Sequence, residues 1–336
     1  MRKMMFYLTV FLCVSCAKVN TPDERAGESG GRLGNLSVRM EYESLSTRSQ
    51  QEDYVPALDS EKIEKKVDVF VFDKNTGMLA AYKSMTAVSQ DCTFSMPVGA
   101  KSVYAVVNGP DMSSVKSISQ LENIFYDMEQ HNLSDAGFFM VGHEDCDVVA
   151  DQTVTPTITV RRLAARVVLR SVSCHIPSQY ADMTVNSVFL GNAYSLQTVA
   201  GEVDRMQNVN GYVSGNSTPI GKSGVTGACP DYFYRSANDV INVNSTHEEM
   251  YYMYCQPNDT DNFTCLYLLV TIGDKQYYYR VPLSYGLRAN VTCSVDVDII
   301  NLGSLLPPDG TVQKGDITAV IKVSDWLRGE EYDIKF

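Results

Sequence analysis

The sequence predicts an all-β protein made of β-sandwiches, with long loops and little helix, and three observations carry that expectation. Short runs rich in β-branched and aromatic residues recur along the chain. Two of them, Leu36 to Tyr42 and Val291 to Ile299, alternate core-forming and polar residues, and Gly, Asn and Pro clusters punctuate the intervals. At 336 residues and 44% hydrophobic composition, the chain can bury one large or two medium cores. A net charge of −12 argues against nucleic acid as a partner, because phosphate binding needs concentrated positive charge.

Residues 1–16 read as an export signal. Arg2 and Lys3 precede an apolar run from Met4 to Leu12 that is too short to span a bilayer, and small residues lead up to Cys16. Leu12-Cys13-Val14-Ser15 is similar to a bacterial lipobox, with Cys13 where Leu is usual, so Cys16 is the expected lipidation site. Several acyl chains there would hold the protein on a membrane far more firmly than one. Residues 17–34 are polar and aperiodic, an expected flexible tether, and with the strand that follows they make up segment 17–48.

Leu36, Val38, Met40 and Tyr42 alternate with Ser37, Arg39, Glu41 and Glu43, which predicts a strand with one buried face. The pattern stops at Ser44, and 44–59 is an expected exposed loop containing Arg48 and Ser49. Val67 to Asp73 predicts a strand entering a turn at Asn75-Thr76-Gly77, followed by strands at Thr93 to Met96 and Val103 to Val107. Ser117 to His131 carries Ile118, Leu121, Ile124, Phe125 and Met128 at helical spacing and predicts a short amphipathic helix. Phe138 to Gly142 is extended again. Within Thr155 to Cys174, Arg162, Arg166 and Arg170 recur every fourth residue as on a helix, but the β-branched flanks favour strands with a local irregularity.

A domain boundary is expected near 174–184, giving one sandwich over 49–176 and another over 177–336. Val185 to Leu190 predicts a strand, and the polar stretch 191–247, rich in Gly, Asn and Ser, an insertion with large loops. Met250 to Cys255, Leu266 to Ile272, Gln276 to Leu283, Val291 to Ile299 and Ile317 to Val323 complete the expected strands.

No catalytic centre, cofactor or metal site is expected. The four His residues show no metal-ligand spacing, and His143-Glu144-Asp145-Cys146 reads as a solvated turn. Seven Cys remain beyond Cys16, none in a CxxC pair, and Cys293 reads as a small core residue. No nucleophile elbow, phosphate loop or paired-carboxylate site can be nominated. Tyr251, Tyr252, Tyr254 and Tyr277 to Tyr279 form either a platform for stacking on sugars or, as the plainer reading, sheet aromatics packed in a core. The arginines at 161, 162, 166 and 170 are expected to pair with the excess acids.

Taken in order, several of these features resemble the fimbrillins of type V pili. They are Cys16, the strand Leu36 to Tyr42, Arg48 in its loop, Lys65 to Asp73, Val160 to Val167, Gly286 to Asn290, Asn301 to Ser304 and Ile321 to Trp326. The resemblance implies two transthyretin-like sandwiches and a structural rather than enzymatic role at the outer membrane and cell surface. It implies that an arginine-specific protease cuts between Arg48 and Ser49, removing Leu36, Val38, Met40 and Tyr42 with their strand. A strand from another fimbrial subunit then fills the groove. The pattern of Ile317, Ala319, Ile321 and Val323 matches that of the removed strand, which makes this segment the candidate donor, or places it beside the donor. A contribution to adhesion is expected with it, for which a host glycan or protein is the candidate partner. Two alternatives stay open: a tip or anchor subunit, and a monomeric surface lipoprotein that binds glycan through the tyrosines.

Overall fold

Strand alternation sets up two separate cores and a seam between them. The computed structural model describes residues 32–43, 55–128, 137–203, 233–284, 287–305 and 317–326. In the first half, an eight-stranded sheet runs in the order β3-β2-β5-β7-β9-β1-β4, with β8 beside β1. Its strands are β1 (Leu33–Tyr42), β2 (Val67–Asp73), β3 (Leu79–Met85), β4 (Cys92–Pro97), β5 (Gly99–Val107), β7 (Met140–Val148), β8 (Thr153–Val154) and β9 (Thr157–Arg162). Val67, Val69 and Val71 of β2 and Val103, Ala105 and Val107 of β5 share one core with Leu36, Val38 and Met40 of β1. Every second residue of these strands supplies that core.

The second half is a sandwich of two sheets. One contains β10 (Ala165–Cys174), β14 (Ser245–His247), β15 (Tyr251–Cys255), β18 (Val291–Ile299) and β19 (Ile317–Asp325). The other contains β11 (Asp182–Gly191), β13 (Tyr234–Asn242), β16 (Cys265–Ile272) and β17 (Lys275–Pro282). Val167, Leu169, Val295 and Val297 from the first sheet pack with Val188, Leu190, Leu268 and Val270 from the second. Between the halves, Phe70 and Phe72 point away from the first core and cluster with Val168, Tyr254 and Trp326.

Several sequence expectations change. The Arg-rich stretch is two strands, as expected, but they separate at Leu163-Ala164, and among the described residues β10 pairs with strands of the second half, namely β14, β15 and β18. By pairing, β10 thus belongs with the strands of the second half.

The helix expected over 117–131 is reduced to α1 (Ile118–Glu122), capped by the Ser117 side chain accepting from the Gln120 N–H. It gives way to β6 (Phe125–Asp127), which pairs with β12 (Leu196–Thr198) across the seam; the pairing of distant strands overrides a helical pattern. Residues 129–131 lie outside the described residues.

Nor is 191–247 all insertion. β12, β13 and β14 fall within it, and β13 pairs with β11 over most of its length. Only 204–232 lies outside the described residues. His143 to Cys146 belongs to strand β7, not to a turn, with His143 Nε2 3.1 Å from Asp145 Oδ1.

Candidate strand-exchange site

β1 occupies a slot rather than an edge. Its first half pairs antiparallel with β4, from Leu33 opposite Pro97 to Val38 opposite Cys92, and parallel with β8 on the other side. Its second half runs parallel to β9, from Arg39 opposite Thr157 to Tyr42 opposite Val160. The alternation read in the sequence decides what faces the slot: Leu36, Val38 and Met40 are 0%, 4% and 8% exposed, while Leu33, Asn35, Arg39 and Glu41 face solvent. Gly34 allows a close approach, since a Cβ there would lie 2.3 Å from the Val149 carbonyl oxygen.

Each fully buried aliphatic side chain contributes about 1.5–3 kcal/mol, so these three together contribute on the order of 5–9 kcal/mol. That is comparable with the whole stability of an ordinary domain, about 5–15 kcal/mol. A slot left empty would also present unpaired backbone groups of β4, β8 and β9.

Polar contacts fix the far end of β1. Tyr42 donates to Glu64 Oε2, and the other Glu64 oxygen accepts from the Val88 N–H. Glu43 Oε2 accepts from Asn290 Nδ2 at 2.6 Å. Asn290 adopts a left-handed φ of 58°, a conformation Asn tolerates, in the turn entering β18. Glu43 also borders a cleft of about 720 Å³ between the halves, with Tyr104, Glu122, His143, Arg161 and Arg288 among its walls.

The chain that follows the expected cut is held separately. Arg48 and Ser49 lie outside the described residues, as does Cys16. From Val55 onward the backbone enters a buried ionic network. The Val55 carbonyl accepts from Arg166 Nη2 at 3.2 Å, and the Arg166 guanidinium pairs with Glu61 Oε2 at 2.7 Å, both side chains being at most 2% exposed. Glu61, on a single 3-10 turn (Asp59–Lys62), also accepts from Trp326 Nε1 at 3.0 Å and from the Tyr254 hydroxyl at 2.6 Å. Burial, with the Glu61 charge beside it, pushes the Tyr254 phenol well above its usual range, so it stays a donor.

Trp326 stacks on Tyr254 at 5.4 Å and lies under the Arg162 guanidinium, and Arg162 donates to the Trp326 carbonyl at 2.9 Å. This network therefore ties the segment from Val55 onward to Trp326, the residue that follows β19. Sequence reading found Arg162, Arg166 and Trp326 but missed Glu61, whose neighbours carry no pattern. Arg166 and Arg170 meet acids as expected, Glu61 and Asp296, whereas Arg162 is held by backbone carbonyls and Asn290.

The candidate donor residues stand at a sheet edge. β19 pairs antiparallel with β18 from Ile299 opposite Ile317 to Val291 opposite Asp325, and Ile317, Ala319 and Ile321 pack against the second core while Val320 is 52% exposed. Cys293 lines the same core, as expected. The six tyrosines are 0–8% exposed, so they are core and seam residues and offer no platform for a sugar.

A crystal structure of a fimbrilin from Porphyromonas gingivalis W83 superposes with a TM-score of 0.60 at 14% identity, covering 87% of this chain and 97% of that one. The chain has the fimbrilin fold. Two Parabacteroides distasonis ATCC 8503 structures, each described as a putative cell adhesion protein, superpose with TM-scores of 0.64 and 0.62 at 14% and 15% identity. They cover 87% and 88% of this chain and 97% and 100% of their own. No family model and no curated protein matches the sequence. At these identities the likeness is one of fold, and it spans both halves of the fimbrilin-like chain. No helix among the described residues is long and apolar enough to cross a membrane.

Proposed function

We propose that this chain is a structural subunit of a cell-surface fimbrium that polymerises by protease-triggered strand exchange. It is exported, lipidated at Cys16 and held at the outer membrane. An arginine-specific protease then cuts between Arg48 and Ser49, and the released segment takes β1 with it. A strand of another subunit fills the slot and so joins the two. The observation that carries this reading is the position of β1: an interior strand whose apolar face fills a core, in a chain that is anchored independently from Val55 onward. The fimbrilin and cell-adhesion proteins that share the fold support the class of function.

The donor comes from the C-terminal segment, for which Ile317, Ala319, Ile321 and Val323 supply the matching pattern. Releasing β19 would uncover a flank of the second core and unseat Trp326, so its departure carries a larger cost than the departure of a free tail. The buried tyrosines remove the basis for a glycan-binding monomer that uses them.

The test is to treat purified precursor with an arginine-specific protease and follow both the new N-terminus and the assembly state. Ser49 should become the N-terminal residue as polymers form, and Arg48→Ala should leave a folded monomer with β1 in place. A different N-terminus, or undiminished polymer from Arg48→Ala, would overturn the proposal.

A further inference from the structure

On one flank of the second sandwich, the edge strand β13 of one sheet lies beside β14 of the other. Three potential metal ligands meet there: Asp239 from β13, His247 from β14 and Glu249 just beyond it. Their donor atoms all lie within 4.8 Å of one another. His247 Nε2 is 3.5 Å from Asp239 Oδ2 and 3.3 Å from Glu249 Oε2. A tetrahedral ion with ligand bonds of about 2.0–2.1 Å holds its donor atoms about 3.3–3.4 Å apart, so the two distances fit one shared ion.

Two further observations set this group apart from a surface ion pair. Asp239 Oδ2 is buried and accepts no hydrogen bond, and the His247 ring at 3.5 Å stands beyond hydrogen-bond geometry from it. Exposure also rises through the set, with side chains 19%, 33% and 60% exposed for Asp239, His247 and Glu249, so an ion could enter from the Glu249 side. His247 and Glu249 stand two residues apart in sequence, but Asp239 joins them only through the turn by which the chain passes from β13 in one sheet to β14 in the other, so their linear spacing does not reveal the group.

We propose that Asp239, His247 and Glu249 bind a divalent first-row transition metal, with Zn²⁺ the best match to one imidazole and two carboxylates. The ion clips the two sheets of the second sandwich together at their shared flank and keeps one coordination position for water. This proposal is independent of strand exchange and concerns the precursor as it stands.

The test uses the purified full chain, stripped with chelator and titrated with zinc chloride by calorimetry, with thermal melting in parallel. One Zn²⁺ should bind per chain and raise the melting temperature. His247→Ala and the near-isosteric Asp239→Asn should each weaken binding at least tenfold and abolish the thermal shift, with circular dichroism confirming that both are folded. His175→Ala, which removes a comparable exposed pair with Asp298, should change neither. Failure of zinc to bind or shift the melt, or equal binding by His247→Ala and wild type, would overturn the proposal.

Discussion

Glu61 has three side-chain donors and the Leu58 N–H converging on its carboxylate and almost no contact with water. Removing one partner of a buried pair strands the other charge, so Glu61→Gln should cost about 3–5 kcal/mol in urea unfolding. A loss below about 1 kcal/mol would mean that solvent reaches Arg166. The double replacement Glu61→Leu with Arg166→Met should cost less than the sum of the two singles, since no uncompensated charge remains.

Asp73 differs because it sits at the surface. The hydrogen bond from Lys101, at 3.1 Å, is the main cause holding its carboxyl below the ordinary value, and backbone and side-chain contacts from Thr76 assist. A depressed folded value contributes stability above the unfolded pKa of about 3.9, and that contribution is lost as pH falls through the folded value. Asp73→Asn should therefore lose stability less steeply than wild type below about pH 4 in acid titrations. Residue-scale roles were only partly legible in sequence: Cys293 and the tyrosines read correctly as core residues, but Glu61 could not be found, because its importance comes from three groups over 100 residues away.

At the scale of elements, the strands with clean alternation were legible. β1 and β18 formed where they were expected, because a period of two leaves only one face to bury. The failures share a cause. β6 and β13 formed through pairing with distant strands, β12 and β11, and a local pattern carries no trace of such a partner. The slot itself was legible only as a strand, since its walls β4, β8 and β9 are brought together by topology.

The donor question is an element-scale prediction, and two truncations resolve it. Deleting 317–336 removes β19 and Trp326, and should lower the melting temperature of the precursor as well as abolish polymers. Deleting 327–336 leaves the network of Glu61 and Trp326 intact. If that shorter deletion abolishes polymers without altering the melt, the donor lies beyond Trp326, beside β19. Normal polymers from both truncations would place the donor elsewhere in the chain.

For the whole molecule, strand exchange makes two demands. The first half must survive loss of one interior strand, and the seam must hold the halves together while it is gone. Both bear on Cys92, which sits opposite Val38 on β4, fully buried in the slot, with its thiol pushed up by burial to about 11. A thiol so placed reacts slowly with alkylating agents while the slot is filled. The most direct measurement is the alkylation rate of Cys92, followed by peptide mass spectrometry in three states: precursor, protease-treated protein lacking its donor segment, and mature polymer. Strand exchange should give protection in the precursor, rapid labelling in the cut donor-less protein, and renewed protection in the polymer. Cys92 that stays protected after the cut, with no strand available to replace β1, would contradict it.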